Sequence, residues 1–186
     1  GGAAIVSLCT AAWANDISLC AQTLVINPRS QMGLNNLGQA LEVQGEWDRA
    51  LDLYRRALEL EPRRIKAITN IGNVLFKQVK PEASIDWFSS FLASPQGLVG
   101  GSHEFARLRN IRGLALVSVL RTDEGLADLL EATRLDPLFV EPYVNLGSLY
   151  LSVGNKARAL EYLDKAAILL PEFPGLLAKI ARARSL

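Results

Sequence analysis

Cysteine, histidine, excess charge and long apolar runs are all scarce in this 186-residue chain, and each scarcity narrows what it can be. The two cysteines, Cys9 and Cys20, form neither a disulfide framework nor a CxxC redox or zinc motif, so they read as reduced core residues. The single histidine, His103, leaves no partner for a two-histidine metal site, and a Ser-His-Asp arrangement would rest on it alone. No residue is therefore assigned a catalytic or metal-binding role, and no cofactor is expected. Lys plus Arg number 20 against 19 Asp plus Glu, a net charge of +1, so no long-range field draws the chain to nucleic acid or to an anionic membrane. Partners must be recognised by local shape and chemistry. No apolar run approaches the ~18–20 residues that span a bilayer, and the longest, residues 1–13, lacks a basic leader.

What is present is a period. Asn36-Leu37-Gly38, Asn70-Ile71-Gly72 and Asn145-Leu146-Gly147 repeat one tripeptide, with Arg112-Gly113 between them. Gly38 and Gly72 are 34 residues apart, as are Gly113 and Gly147, whereas Gly72 to Gly113 is 41, so seven residues are inserted. Pro28, Pro62, Pro137 and Pro171 run in phase with them, each closing an apolar helical stretch. Gly45-Glu46-Trp47 and Gly154-Asn155-Lys156 sit between, where a glycine turn passes one helix to the next. Each unit is helix, turn, helix, and a fixed period of this length is the signature of a stacked repeat protein.

These residues resemble the tetratricopeptide-repeat (TPR) family. Residues 31–64 match its pattern at Leu37, Gly38, Leu41, Gly45, Ala50, Tyr54, Ala57 and Pro62. Residues 140–173 match at Tyr143, Leu146, Gly147, Tyr150, Gly154, Ala159, Leu163, Ala166 and Pro171. Unit 65–98 departs with Val79 for the turn glycine, Ser84 for a packing alanine and Phe91 for another, which predicts a wider helix pair. Unit 106–139 departs with Arg112 at a leucine position and Gly125 at an alanine position. The remainder reads as a truncated first repeat over 1–30, an inserted loop over 99–105 and a capping helix over 174–186 with Leu176, Leu177, Ile180 and Ala183 on one face. The resemblance implies an all-α fold, a right-handed α-solenoid of antiparallel helix pairs with a concave inner wall.

It also implies that positions 2, 5, 6, 9, 12 and 13 of each first helix line that wall. There the sequence places Asn36, Gln39, Lys66, Asn70, Asn73, Arg107, Asn110 and Asn145. Side-chain amides donate and accept, so a spaced row of them suits an extended peptide backbone; the same asparagines would equally serve to hydrogen-bond neighbouring helices. Lys66 and Arg107 with Asn70 and Asn73 suggest a carboxylate clamp, although Met32 occupies the corresponding place one unit earlier. The glycine-rich stretch before His103 lacks the Gly-Lys-Ser/Thr of a phosphate loop, and His103 reads as a solvated residue. Trp13, Trp47 and Trp87 read as packing residues, and Asp48, Asp52, Asp86, Asp128 and Glu161 as a solvated outer face. Arg107, Arg109 and Arg112 lack the interleaved aromatics of a single-strand binder, so nucleic acid is not an expected partner.

The leading functional expectation is a non-enzymatic scaffold that binds a peptide or protein segment in its groove. A second rests on Trp13-Ala14-Asn15-Asp16-Ile17-Ser18-Leu19, Asn27-Pro28-Arg29-Ser30 and Asn35-Asn36-Leu37-Gly38, which are similar to the junction in multi-span membrane glycosyltransferases that carry TPR tails. On that reading residues 1–8 end a membrane helix and the repeats recruit a protein substrate. A third is a homo-oligomer assembled through Ile5, Val6, Leu8 and Trp13 of the truncated unit. Reduced cysteines lean slightly towards a cytoplasmic setting, with membrane association as the alternative.

Overall fold

The computed structural model describes residue 18, residues 21–93 and residues 99–185. Cys9, Cys20, Trp13, Ile5, Val6, Leu8 and loop residues 94–98 lie outside the described residues, as does most of the truncated first unit. After helical residues 21–26 come α1 (Gln31–Val43), α2 (Trp47–Leu60), α3 (Ile65–Lys77) and α4 (Pro81–Leu92). Beyond the undescribed loop follow α5 (Ser102–Ser118), α6 (Thr122–Leu135), α7 (Val140–Ser152), α8 (Lys156–Leu169) and α9 (Leu176–Ser185). The pairs α1/α2, α3/α4, α5/α6 and α7/α8 stack as the right-handed α-solenoid that the resemblance implies.

Helical spacing explains the packing. In α2, Ala50, Leu53, Tyr54 and Ala57 fall on one stripe and are buried, while Asp52, Arg55, Arg56 and Glu59 face solvent. Ser30 caps α1 by accepting from the Gly33 amide at 3.1 Å, and Asn155 caps α8 by accepting from the Arg158 amide at 3.2 Å. Within each unit one glycine of the first helix receives one large side chain of the second: Gly38 meets Tyr54, Gly72 meets Phe88, Gly113 meets Leu129 and Gly147 meets Leu163. A methyl at Gly72 would run into the Phe88 ring, so these glycines set how closely the helices cross. Ser84 stands in for the missing alanine, buried and donating to the Gly72 carbonyl at 2.8 Å. The α3/α4 pair nevertheless meets less extensively than the pairs of the other units, in keeping with its departures from the pattern.

Three features differ from expectation. Of the expected inserted loop 99–105, residues 102–105 are helical, since α5 begins at Ser102 and is 17 residues long. Its remaining backbone is pinned: Val99 donates to the Arg63 carbonyl at 2.7 Å and accepts from the Ile65 amide at 2.9 Å, one bridge of parallel strand pairing. In α9, Leu176, Ile180 and Ala183 are buried as a cap requires, but Leu177 points outward and is 72% exposed. Asp128, read as part of a solvated face, is 2% exposed and sits inside an arginine cage described below.

Candidate functional site

The first helices α1, α3, α5 and α7 carry the predicted site residues, and the structure sorts them into two kinds. Asn70 is buried and its side-chain amide donates to the Asn35 carbonyl oxygen at 3.1 Å; Asn145 donates likewise to Asn110 at 2.8 Å. Position 6 of one unit thus holds position 5 of the unit before it, and Asn35 is anchored in turn by donating to the Gln31 carbonyl at 2.9 Å. Asn70 and Asn145 use their donors to fix register between units. Asn36 and Gln39 are half-buried and make no side-chain hydrogen bond among the described residues. Between the two clamped boundaries the corresponding pair is Thr69 and Ile111; isoleucine offers no donor, and the buried Thr69 hydroxyl is left without a partner among the described residues.

Asn73 joins a second polar knot. The Glu42 carboxylate, 8% exposed, accepts from the Tyr54 hydroxyl at 2.9 Å, from Asn73 Nδ2 at 2.6 Å and from Lys77 Nζ at 2.8 Å. Three donors satisfy carboxylate oxygens that the fold has taken out of water. Burial, and then the facing Glu42 charge, push ionisation of the Tyr54 hydroxyl far above the usual phenol range. Nothing in the repeat pattern signalled Glu42, since its partners come from α2 and α3.

A cavity of about 390 Å3 opens beside this knot, lined by Asn73, His103, Arg107, Asn110, Ile111, Phe139 and Glu141. It gathers three of the predicted residues, Asn73, Arg107 and Asn110, from two different helices. Arg107 and Glu141 make no hydrogen bond or ion pair among the described residues, so the cavity has a cation and an anion to offer. His103 closes its rim: Nδ1–H donates to Asp136 Oδ2 at 2.6 Å, and the ring lies edge-on to Phe139 with centroids 5.0 Å apart. That hydrogen bond, foremost, holds the Asp136 carboxyl below its ordinary pKa. His103 is therefore tethered where a merely solvated side chain was expected. Lys66 lies on α3 with Asn73, two turns nearer its start, half-buried and without a hydrogen bond or ion pair among the described residues. It does not line the cavity, so the structure does not gather Lys66, Asn70, Asn73 and Arg107 into one clamp.

A smaller cavity of about 200 Å3 follows along α5, lined by Leu114, Val117 and Leu129 with Asn145, Ser148, Leu149 and Ser152. The basic cluster of α5 divides between wall and core. Arg112 grips Asp128 through Nε at 2.5 Å and Nη2 at 2.8 Å, and Arg109 adds Nη1 at 2.5 Å. Only Arg107 of the three is left facing the cavity. Trp87 is held by its indole N–H donating to the Ile68 carbonyl at 2.9 Å, with its ring against Phe91, so packing accounts for it. Among the described residues no three His, Cys, Asp or Glu side chains group as a metal site, and no helix is long and apolar enough to cross a membrane.

Comparison with known proteins agrees with the architecture. One tetratricopeptide-repeat profile matches residues 32–64 and a second matches residues 112–175, together just over half of the chain. No curated protein matches in sequence. Among solved structures, a thermophilic TPR protein of Thermus thermophilus is similar at TM-score 0.76 and 21% identity, over 98% of this chain and 95% of that one. PilW, a type IV pilus biogenesis factor, is similar at TM-score 0.75 and 17% identity, over 99% and 84%. YrrB, described as a TPR protein with an unusual peptide-binding site, is similar at TM-score 0.59 and 20% identity, over 98% and 89%. At these identities the likeness is one of fold. The 34-residue period, the glycine-to-large-residue crossings and the two matching profiles together place the chain in the tetratricopeptide-repeat family.

Proposed function

We propose that this protein is an interaction scaffold whose concave wall binds an extended segment of another protein. The observation that carries the reading is the cavity shared by α3, α5 and α7, where Arg107 stands free of any hydrogen bond or ion pair among the described residues. Half-buried charge that the fold itself does not use is costly to keep unless a partner uses it. The amide clamps and the Glu42 knot hold the surrounding helices in register, so the scaffold loses little ordering entropy on binding. The peptide-binding site described for YrrB, on a similar fold, supports the same assignment.

The test is selection of dodecamer peptides from a random displayed library on the immobilised protein, followed by fluorescence anisotropy. Peptides so obtained are expected to lose about fivefold in affinity for Arg107→Ala, because a charge-assisted pairing on a partly solvated wall is removed. Arg55→Ala, on the exposed outer face of α2, should leave them unchanged. Failure to enrich any peptide, or binding that ignores Arg107→Ala, overturns the groove.

A further inference from the structure

Resting on that groove, we infer that the wall reads its partner in a fixed charge register: one apolar, two acidic and one basic side chain, each three residues after the last. The register comes from position 2 of successive first helices, which carries Met32 on α1, Lys66 on α3, Arg107 on α5 and Glu141 on α7. Met32 is an apolar side chain left 66% exposed. Lys66, Arg107 and Glu141 form no hydrogen bond or ion pair among the described residues. Elsewhere on this wall charge is already engaged, Lys77 with Glu42. Arg107 and Glu141 face the same cavity from adjacent helices yet do not meet, leaving room for a chain between them.

Spacing converts this row into a sequence. Packed helices lie about 8–10 Å apart, and a polyproline-II chain advances about 3.1 Å per residue with three residues per turn, so a chain in that form crossing the first helices turns every third residue towards the wall, against the next position-2 side chain. An acidic residue then faces Lys66, a second faces Arg107 and a basic residue faces Glu141, with an apolar residue towards Met32. Chain direction is not fixed by the register, since the reversed sequence presents the same order. Each such pairing, on a partly solvated wall, is worth up to about fivefold in affinity and weakens with salt.

The experiment uses capped ten-residue peptides with serine and glycine spacers. One carries leucine, glutamate, glutamate and lysine at every third place, one is its reversal, and one holds the same four residues contiguously. Affinities are read by NMR titration of the full chain, with circular dichroism confirming that each variant is folded. One of the two spaced peptides is expected to bind about tenfold more tightly than the contiguous peptide. Glu141→Lys should reverse the preference at the last place alone, favouring a peptide with glutamate there by about fivefold, and Lys66→Glu should do the converse at its own place. Equal binding of spaced and contiguous peptides, or a Glu141→Lys effect that is the same for all peptides, overturns the register. If library selection meanwhile yields Arg107-dependent peptides without this spacing, the groove stands and the register alone falls.

Discussion

Val79 and Leu120 occupy the turn position that Gly45 and Gly154 fill in the regular units, and all four have positive φ, 59° and 64° for the two that are not glycine. A left-handed conformation costs an L-residue about 1–2 kcal/mol, and branching at Cβ places Val79 at the upper end. Neither side chain recovers that cost by burial, since they are 86% and 89% exposed. Val79→Gly and Leu120→Gly should each stabilise the fold by about 0.5–1 kcal/mol in urea denaturation, the gain reduced by glycine's unfolded-state entropy. Val79→Ala should not, which separates strain from the loss of exposed apolar surface. Thr69 is the buried counterpart: its hydroxyl has no partner among the described residues, so the isosteric Thr69→Val should add about 1 kcal/mol, where most core substitutions subtract. Tyr54 gives a pH signature. Its folded pKa is raised, so its contribution is complete below the unfolded value of about 10 and is lost as pH rises beyond it. Spectrophotometric titration should find one tyrosine that ionises only with unfolding, absent in Tyr54→Phe.

At the scale of elements, unit 106–139 shows compensation that reading position by position misses. Arg112 replaces an expected leucine and Asp128 lies on the second helix, and each taken alone reads as a departure or as surface; together they form a buried pair, completed by Arg109. Arg112→Leu restores the family pattern at one position yet should destabilise by about 3 kcal/mol, because Asp128 loses its two-pronged partner. Arg112→Leu with Asp128→Leu should recover most of that loss, and chemical denaturation of the single and double variants measures the coupling. What the sequence made legible were the helix pairs, the turns and the crossings, because positive φ and close helix approach admit few residue types. What it left illegible depends on helix rotation between units. The asparagine at position 6 was visible at Asn70 and Asn145, but its partner at position 5 was not, and Asn110 looked like a displaced member of the row when it is the acceptor for the next unit. Glu42 and His103 escaped for the same reason, since their partners are about 30 residues away along the chain.

Across the whole molecule, the boundaries between units are of two chemistries. The outer two are held by directional amide clamps between first helices, Asn70 on Asn35 and Asn145 on Asn110, whereas the first helices of the middle one meet in an apolar seam, with Arg112 donating to the Ser89 hydroxyl at 3.3 Å beside it. There Ile65 and Ile68 of α3 pack with Leu108 and Ile111 of α5, and these helices meet more extensively than α1 with α3 or α5 with α7. In a solenoid each unit is stabilised by its neighbours, so the strength of each boundary decides how far unfolding spreads. Asn145→Ala removes one hydrogen bond and leaves Asn110 short of a donor, at a cost of about 1–2 kcal/mol confined to the last boundary. Amide exchange should then quicken in α7, α8 and α9 while α1 to α4 keep their protection. Ile68→Ala opens the fully buried seam, costs about 2–5 kcal/mol and acts on both halves at once. Its urea transition should broaden or split, with the halves before and after the inserted loop exchanging as separate blocks. A single sharp transition in Ile68→Ala would mean that the pinned Val99 bridge and the neighbouring contacts couple the two halves without the seam.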